Sequence, residues 1–93
     1  MSFVHVPGKE QAKIILYTLS TCIWCKKTKQ LLNKLGVAYS YIDVDLLDGE
    51  EKARVVKEQE RWNPQCSYPT LVINNSRCIV GYKEDEIREA LRL

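Results

Sequence analysis

Two cysteines, Cys22 and Cys25, lie three positions apart and are the residues of this sequence best suited to redox chemistry. If they open a helix, both thiols lie on one face of its first turn, within the distance that a disulfide can bridge. The first thiol is then close to free backbone N–H groups and to the positive end of the helix dipole, which favours the thiolate. Lys26 and Lys27 add positive charge nearby. The spacing therefore predicts thiol–disulfide exchange, in which Cys22 attacks a disulfide and Cys25 resolves the mixed disulfide.

The residues around the cysteine pair are suited to contact with a partner. Ser20 and Thr21 are small and polar, so we expect them to cap the helix that follows. Ile23 and Trp24, which lie between the two cysteines, offer an apolar surface. Together these side chains predict a protein or a peptide as the molecule that meets Cys22.

A structural zinc site is the main alternative for the cysteine pair. Zinc usually takes four ligands arranged as two close pairs, whereas Cys66 and Cys78 are single and His5 is the only histidine. We therefore expect no metal site. Cys66 is either an accessory thiol or a bystander, and Cys78 is expected to pack as a small apolar residue. A disulfide between these two stays open, although a cytosolic setting argues against it.

The apolar pattern predicts seven elements that would position the pair. They are strands at 14–18, 38–43, 70–74 and 77–80, and helices at 23–35, 48–62 and 84–92. A further short strand at 3–6 would be stopped early by Pro7 and Gly8. Because the first β-α-β unit crosses over right-handed, its strands are parallel, and the later hairpin adds an antiparallel pair. The order β-α-β-α-β-β-α therefore predicts an α/β fold with a four-stranded mixed sheet flanked by helices.

Local signals mark where these elements begin, end and face the core. Gly36 is expected to end the first helix. Asp48 with Glu51 resembles a capping box at the start of the second helix. Asn75-Ser76 is a turn signal between the last two strands. The residues expected to face inward are Cys25, Thr28, Leu31, Leu32 and Leu35 in the first helix, Val55, Val56, Gln59 and Trp62 in the second, and Ile87, Ala90 and Leu91 in the third.

The overall composition excludes several classes of protein. Hydrophobic residues make up 45% of the 93 residues and charged residues 28%, which predicts one globular domain over 1–93 with its core in 14–92. A net charge of +2 is too small to indicate nucleic-acid or membrane binding. The N-terminal residues lack a charged stretch followed by an apolar one, and the apolar run at 14–17 is far shorter than the ~20 residues of a membrane span. We therefore expect a cytoplasmic monomer.

Three features together resemble the thioredoxin superfamily. They are the strand–helix Cys-x-x-Cys, the Tyr68-Pro69-Thr70 segment before an apolar strand, and a hairpin that ends in Gly81-Tyr82 before a final helix. The branch to which the chain is most similar comprises glutaredoxins and glutaredoxin-like redoxins, and the resemblance covers residues 14–93. It implies a thioredoxin-like, glutaredoxin-type fold and a thiol–disulfide oxidoreductase that reduces protein disulfides.

The resemblance also implies roles for individual residues. Cys22 would be the nucleophile and Cys25 the resolving thiol. Pro69 would be cis and would pack beside the cysteines, and the backbone of Tyr68 would pair with bound substrate like an added strand. The implied substrate-binding groove consists of Thr21, Ile23, Trp24, Tyr68, Pro69, Gly81 and Tyr82.

Departures from the glutaredoxin pattern bear on the electron donor. Glutaredoxins often carry a lysine two or three residues before the first cysteine, where this chain has Ser20 and Leu19. They also tend to have a Gly-Gly pair and an acidic residue after the hairpin, where this chain has Val80-Gly81 and then Tyr82-Lys83. This segment is more similar to redoxins that serve ribonucleotide reductase and are recharged by a thioredoxin-reductase-type enzyme. We therefore expect such a reductase as the electron donor, ribonucleotide reductase among the candidate substrates, and no tightly bound cofactor.

Three other functions stay open at this point. A glutathione-dependent glutaredoxin would use glutathione as its reductant. An iron–sulfur carrier would hold a cluster between two subunits through the first cysteine and glutathione. A protein that keeps the fold without turnover would act only as a binding module.

Overall fold

Five strands form one mixed sheet with helices on both faces in the computed structural model, which describes residues 3–92. The strands are β1 Val4–Val6, β2 Ile14–Thr18, β3 Tyr39–Asp43, β4 Thr70–Ile73 and β5 Arg77–Val80. The helices are α1 Ile23–Leu35, α2 Gly49–Trp62 and α3 Glu84–Ala90, and a 3-10 turn spans Val44–Leu46. The predicted α/β architecture and the order of its seven elements are confirmed.

The sheet topology brings the ends of four strands together. The strand order is β1-β3-β2-β4-β5, with β2 parallel to β3 and the other neighbouring pairs antiparallel. Thr18 at the end of β2 lies opposite Asp43 at the end of β3. Thr70 at the start of β4 lies between Tyr17 of β2 and Val80 at the end of β5. The loops that follow β2, β3 and β5, and the loop that precedes β4, therefore meet at one end of the sheet.

The predicted number of strands is wrong, because β1 adds a fifth strand to the sheet. This strand pairs antiparallel with β3, from Val4 opposite Tyr41 to Val6 opposite Tyr39. Pro7 follows β1 directly, as expected, but three residues are enough to cover the edge of β3. Without β1, the N–H and C=O groups along that edge would lack a strand partner.

Two apolar clusters lie on opposite faces of the sheet. Because successive strand residues point to opposite faces, Leu16 and Tyr17 of β2 belong to different clusters. The cluster beneath α1 and α3 includes Leu16, Leu31, Leu32, Leu71, Ile87 and Leu91. The cluster beneath α2 includes Tyr17, Ile42, Val44, Val55 and Val72. The inward faces predicted for the three helices lie on these clusters.

The helix ends agree with the predictions only in part. Gly36, with a φ of 73°, caps α1 by donating its N–H to the carbonyl groups of the preceding turn, as expected. The expected caps at the two N-termini are wrong: Cys22 itself caps α1, and the Asp48 side chain makes no capping hydrogen bond. Helix α3 ends at Ala90 rather than at residue 92. Within residues 3–92, no helix is both long enough and apolar enough to cross a membrane.

The hairpin turn lies one residue earlier than predicted. Strand β4 ends at Ile73, and Asn74 and Asn75 both have positive φ, of 54° and 51°. The Ser76 N–H closes the turn on the Ile73 carbonyl at 3.1 Å. Positive φ at both central positions is typical of a type I′ turn, and asparagine tolerates this conformation better than most residues.

Candidate active site

The sequence-predicted cysteine pair lies at the end of the sheet where the four loops meet. Cys22 is the N-cap of α1, with an extended backbone, and its Sγ accepts a hydrogen bond from the Cys25 N–H at 3.2 Å. Both cysteines are free thiols, and Cys22 is half-buried whereas Cys25 is 0% exposed. A buried strand followed by a helix thus holds one sulfur within reach of a partner and the other one turn deeper.

Burial separates the chemistry of the two thiols. Burial, the larger cause, and the hydrogen bond with Cys22 together raise the pKa of Cys25 to about 12. The Lys29 ammonium group lowers the pKa of Cys25, but more weakly than burial raises it. Because a thiol with such a pKa is protonated at neutral pH, Cys25 is a poor first nucleophile. The arrangement favours Cys22 as the attacking sulfur.

A carboxylate that the sequence did not indicate holds the loop before Cys22. Asp45, in the 3-10 turn after β3, accepts the Ser20 N–H on Oδ1 at 2.8 Å and the Ser20 hydroxyl on Oδ2 at 2.5 Å. These hydrogen bonds hold the pKa of the Asp45 carboxyl below its usual range. Ser20 is thus anchored to another loop instead of capping α1. The two residues are 25 positions apart, and only the parallel pairing of β2 with β3 brings them together.

A second group of polar side chains lies at the ends of β2 and β3. The buried Thr18 hydroxyl donates to Asp43 Oδ1 at 2.5 Å. Lys29, one turn after Cys25 in α1, has its Nζ 3.5 Å from the same oxygen and 3.8 Å from the centre of the Tyr41 ring. These contacts tie α1 to the central strands, directly behind the cysteine pair.

The loop before β4 carries the proline singled out in the sequence. The Tyr68–Pro69 peptide bond is cis, as the resemblance implies. The Gly81 N–H donates to the Pro69 carbonyl at 2.8 Å, so the segments before β4 and after β5 are joined. Burial raises the pKa of the Tyr68 hydroxyl, and the nearby acidic groups, Cys25 among them, raise it further. The loop therefore lies within electrostatic range of the cysteine pair.

Two amide side chains, Gln59 in α2 and Asn63 at its C-cap, hold the loop before β4 in place. Gln59, which is fully buried, directs Nε2 to the Ser67 carbonyl at 3.3 Å and to Thr70 Oγ1 at 3.2 Å. Asn63 Nδ2 donates to Thr70 Oγ1 at 3.0 Å. The Thr70 hydroxyl in turn donates to the Ser67 carbonyl at 2.7 Å. The apolar pattern predicts that Gln59 faces inward from α2 but does not indicate this role, because the partners of Gln59 lie on another element.

A stacked aromatic pair, formed by exposed Trp24 and half-buried Tyr82, borders the cysteines on the other side. Ile23 is 62% exposed and Trp24 is 52% exposed, an unusual display of large apolar side chains. The Trp24 and Tyr82 rings stack with centroids 5.9 Å apart at 25°, and Lys27 Nζ lies 5.1 Å from the Trp24 ring centre. Tyr82 directly follows Gly81, so this pair closes the rim that the Pro69 loop begins. Thr21, the remaining predicted groove residue, is exposed beside Cys22.

The other residues considered in the sequence lie outside this rim. Cys66 is half-buried, with its Sγ 3.9 Å from the Val56 carbonyl, and Cys78 lies on β5 opposite Val72. Burial raises the pKa of both thiols, and both are free. His5 is exposed on β1. In the described part of the chain, no cluster of three or more histidine, cysteine or acidic side chains could hold a metal ion.

Comparisons with known proteins agree with this geometry. The family model for glutaredoxin matches residues 14–78, more than half of the chain. The glutaredoxin from Methanosarcina mazei Go1 is 50% identical in a match that covers 100% of this chain and 90% of that one, with a TM-score of 0.90. Methanoredoxin from Methanosarcina acetivorans is 52% identical, and the match covers 92% of this chain and 90% of that one, with a TM-score of 0.88.

A relative known from its sequence is similar over a shorter segment. Glutaredoxin 1 of Rickettsia prowazekii (strain Madrid E) is 39% identical over 62 residues, which are 67% of this chain and 62% of that protein. The chain thus spans about three fifths of the length of this curated relative. The structural likeness confirms the predicted thioredoxin-like, glutaredoxin-type fold. The matched family model and these relatives show that the chain belongs to the glutaredoxin family.

Proposed function

We propose that this protein is a thiol–disulfide oxidoreductase that reduces protein disulfides by a dithiol mechanism. The observation that carries the proposal is the asymmetry of the cysteine pair: Cys22 is accessible at the N-cap of α1, and Cys25 is buried one turn away, linked to it by the N–H···Sγ bond of 3.2 Å. Membership of the glutaredoxin family supports it. The aromatic rim and the Pro69 loop provide a surface on which a polypeptide chain can lie.

The proposed reaction transfers two electrons in two exchange steps. The Cys22 thiolate attacks one sulfur of the substrate disulfide, the substrate S–S bond breaks, and the released sulfur takes up a proton. Cys25 then gives up its proton, and its sulfur attacks Cys22 Sγ. The mixed disulfide breaks, the second substrate thiol leaves, and the protein retains an intramolecular Cys22–Cys25 disulfide. The substrate is reduced and the protein is oxidised by the same two electrons.

The first test compares matched cysteine variants in the reduction of a peptide disulfide, with dithiothreitol as electron donor. Cys22→Ser is expected to abolish turnover, and Cys78→Ser, which removes a thiol from an edge strand, is the control. Cys25→Ser, reduced beforehand and mixed with the peptide disulfide in the absence of dithiothreitol, is expected to stop at the mixed disulfide, which mass spectrometry detects as a stable adduct on Cys22. Undiminished turnover by Cys22→Ser would refute the mechanism.

We further propose that a thioredoxin-reductase-type enzyme, rather than glutathione, recharges the oxidised pair. The Glu84 carboxylate, the acidic group nearest to the segment after the hairpin, already accepts the Tyr82 hydroxyl at 3.2 Å and Arg88 Nε at 2.8 Å. Lys83 stands where an acidic residue is expected in glutaredoxins, and it pairs with Glu86 at 3.8 Å. For Glu84 or Glu86 to bind the amine of glutathione, the carboxylate would therefore first have to leave its present partner.

Paired reductant assays distinguish the two donors. Oxidised protein is mixed either with NADPH and a thioredoxin-reductase-type enzyme, or with NADPH, glutathione reductase and glutathione. We expect NADPH consumption to be faster in the first system. The reverse order would identify glutathione as the reductant and leave the dithiol mechanism intact.

We place the protein in the cytoplasm, where disulfide substrates such as ribonucleotide reductase would meet it.

A further inference from the structure

A shallow groove between α1 and α3 carries three basic side chains beside the aromatic rim. It has a volume of about 260 Å³, and we call it the basic groove; the side chains that line it include Lys27, Lys34, Tyr82, Glu84 and Arg88. The groove begins at Tyr82, whose ring stacks on Trp24. A polypeptide that crosses this stacked pair on its way from Cys22 therefore enters the basic groove.

The charges of the groove are poorly balanced by the protein itself. Helix α1 contains four lysines and no acidic residue. Lys29 is paired with Asp43, but within residues 3–92 neither Lys27 nor Lys34 has a carboxylate at salt-bridge distance. The carboxylate of Glu84 is shared between Arg88 and the Tyr82 hydroxyl. One acidic group thus faces three cations, and the groove keeps a positive potential.

We propose that the basic groove binds an acidic stretch of polypeptide that lies next to the disulfide of a protein partner. The inference rests on the proposed function, because it places that disulfide at Cys22. Carboxylates of the partner would pair with Lys27 and Lys34, whose long side chains are exposed. Apolar side chains between the acidic stretch and the disulfide would lie on Trp24.

The opposite side of the site carries an exposed carboxylate. Asp45 is exposed beside Ser20, and its carboxylate is close enough to Tyr68 to raise the pKa of that hydroxyl. An acidic stretch would be repelled there and attracted on the Trp24 side. The charge distribution therefore orients the partner across the cysteine pair as well as attracting it, which is how electrostatic complementarity commonly acts.

The test uses two peptides with the same disulfide, one flanked by aspartates and one by serines. The quantity measured is the ratio of kcat/KM for the aspartate peptide to that for the serine peptide, because a general loss of activity cancels in this ratio. In Lys27→Glu/Lys34→Glu we expect the ratio to fall about tenfold, within the range of electrostatic steering. The control Lys13→Glu/Lys57→Glu makes the same charge change outside the groove and should alter the ratio less than about twofold. Added salt should lower the ratio for the unmodified protein.

A binding measurement separates this inference from the proposed function. Isothermal titration of the reduced protein with an aspartate peptide that lacks cysteine should give a Kd about tenfold weaker for the groove variant than for the control. If neither peptide is reduced but the difference in Kd remains, the result would refute the oxidoreductase activity and support peptide binding by the basic groove. Equal Kd values for the two variants, or equal kcat/KM for the two peptides in the unmodified protein, would overturn the groove.

Discussion

At the scale of single residues, the two thiols differ in access although they share one helical turn. Cys22 is half-buried and accepts a backbone hydrogen bond, while Cys25 is fully enclosed. Burial raises the pKa of Cys25 to about 12. The folded protein therefore holds the Cys25 sulfur as an uncharged thiol at neutral pH, which suits the resolving role proposed for it.

This difference predicts the outcome of alkylation. In a Cys66→Ser/Cys78→Ser background at about pH 8, iodoacetamide should modify Cys22 alone, because only the thiolate reacts and Cys25 is protonated. Modification of Cys25 should rise only as the pH approaches 12. Peptide mapping by mass spectrometry identifies the modified sulfur, and the denatured protein, in which both thiols should react, is the control. Similar rates for both thiols in the folded protein would contradict the burial argument.

The Ser20–Asp45 contact predicts a pH-dependent contribution to stability. Hydrogen bonds lower the pKa of Asp45 in the folded protein, so its contribution is present above the ordinary aspartate pKa of about 3.9 and is lost as the pH falls through the folded value. Asp45→Ala should lower Tm at about pH 6, and the difference in Tm from the unmodified protein should shrink as the pH falls below about 3.9. Thermal unfolding followed by circular dichroism measures Tm for both proteins at each pH. A difference in Tm that does not change with pH would contradict a contribution from the ionised carboxylate. Asp48→Ala, whose carboxylate makes no capping bond, is the control.

At the scale of elements, the loop before β4 depends on α2. Gln59 and Asn63 donate hydrogen bonds to Ser67 and Thr70 from a helix on the other side of the loop. Because all these polar groups are buried or partly buried, each hydrogen bond contributes to stability, and the loss of Gln59 leaves Asn63 as the one amide that donates to both Ser67 and Thr70. The position of the Pro69 loop at this end of the sheet is therefore set by contacts with α2 and its C-cap.

Gln59→Leu tests this dependence. It removes the amide at similar volume, and we expect a loss of about 1–3 kcal/mol in the free energy of unfolding. We also expect KM for a peptide disulfide to rise several-fold, while the rate at which a small alkylating reagent modifies Cys22 stays the same, because only the peptide needs the loop. Gln65→Leu, on the exposed surface, is the control. An unchanged KM would show that the loop keeps its position without Gln59.

Local signals in the sequence predicted much of the site, and tertiary contacts account for the rest. The strand–helix context of Cys22 and Cys25 and the glycine stop at Gly36 depend on neighbouring residues, so the sequence reveals them. Asp45 reaches Ser20, and Gln59 reaches Thr70, only through the pairing and packing of separate elements. The prediction that Ser20 and Thr21 cap α1 is wrong for the same reason, because the local pattern does not reveal the distant partner of Ser20.

At the scale of the whole molecule, the N-terminal segment completes the sheet and then packs tightly on the turn after α1. Beyond β1, Lys9 donates its N–H to the Gly36 carbonyl and accepts the Ala38 N–H, both at 2.8 Å. A Cβ atom at Gly8 would lie 2.7 Å from the Val37 carbonyl carbon and 2.8 Å from the Gly36 oxygen. This close approach explains why β1, although short, holds its place at the edge of β3.

Gly8→Ala should therefore separate the N-terminal segment from the turn. We expect a loss of about 1–3 kcal/mol in the free energy of unfolding, because the clash is with backbone atoms that cannot rotate away. Urea denaturation measures the loss. In Gly36→Ala the Cβ would meet nothing within 4 Å, so only its positive φ is penalised, and its loss should be the smaller of the two. A larger loss for Gly36→Ala would contradict this view of the packing.

The cap that Cys22 provides to α1 links the stability of the fold to the reduction potential of the cysteine pair. As a thiolate, Cys22 accepts the Cys25 N–H as a charge-assisted hydrogen bond, and as a disulfide it is a neutral and weaker acceptor. Reduction, oxidation, folding and unfolding form a closed thermodynamic cycle. Any free energy by which this bond favours the reduced fold over the oxidised fold therefore raises the reduction potential by the equivalent amount. Substitutions that strengthen or weaken the first turn of α1 thus retune how readily the protein gives up electrons, without changing either sulfur.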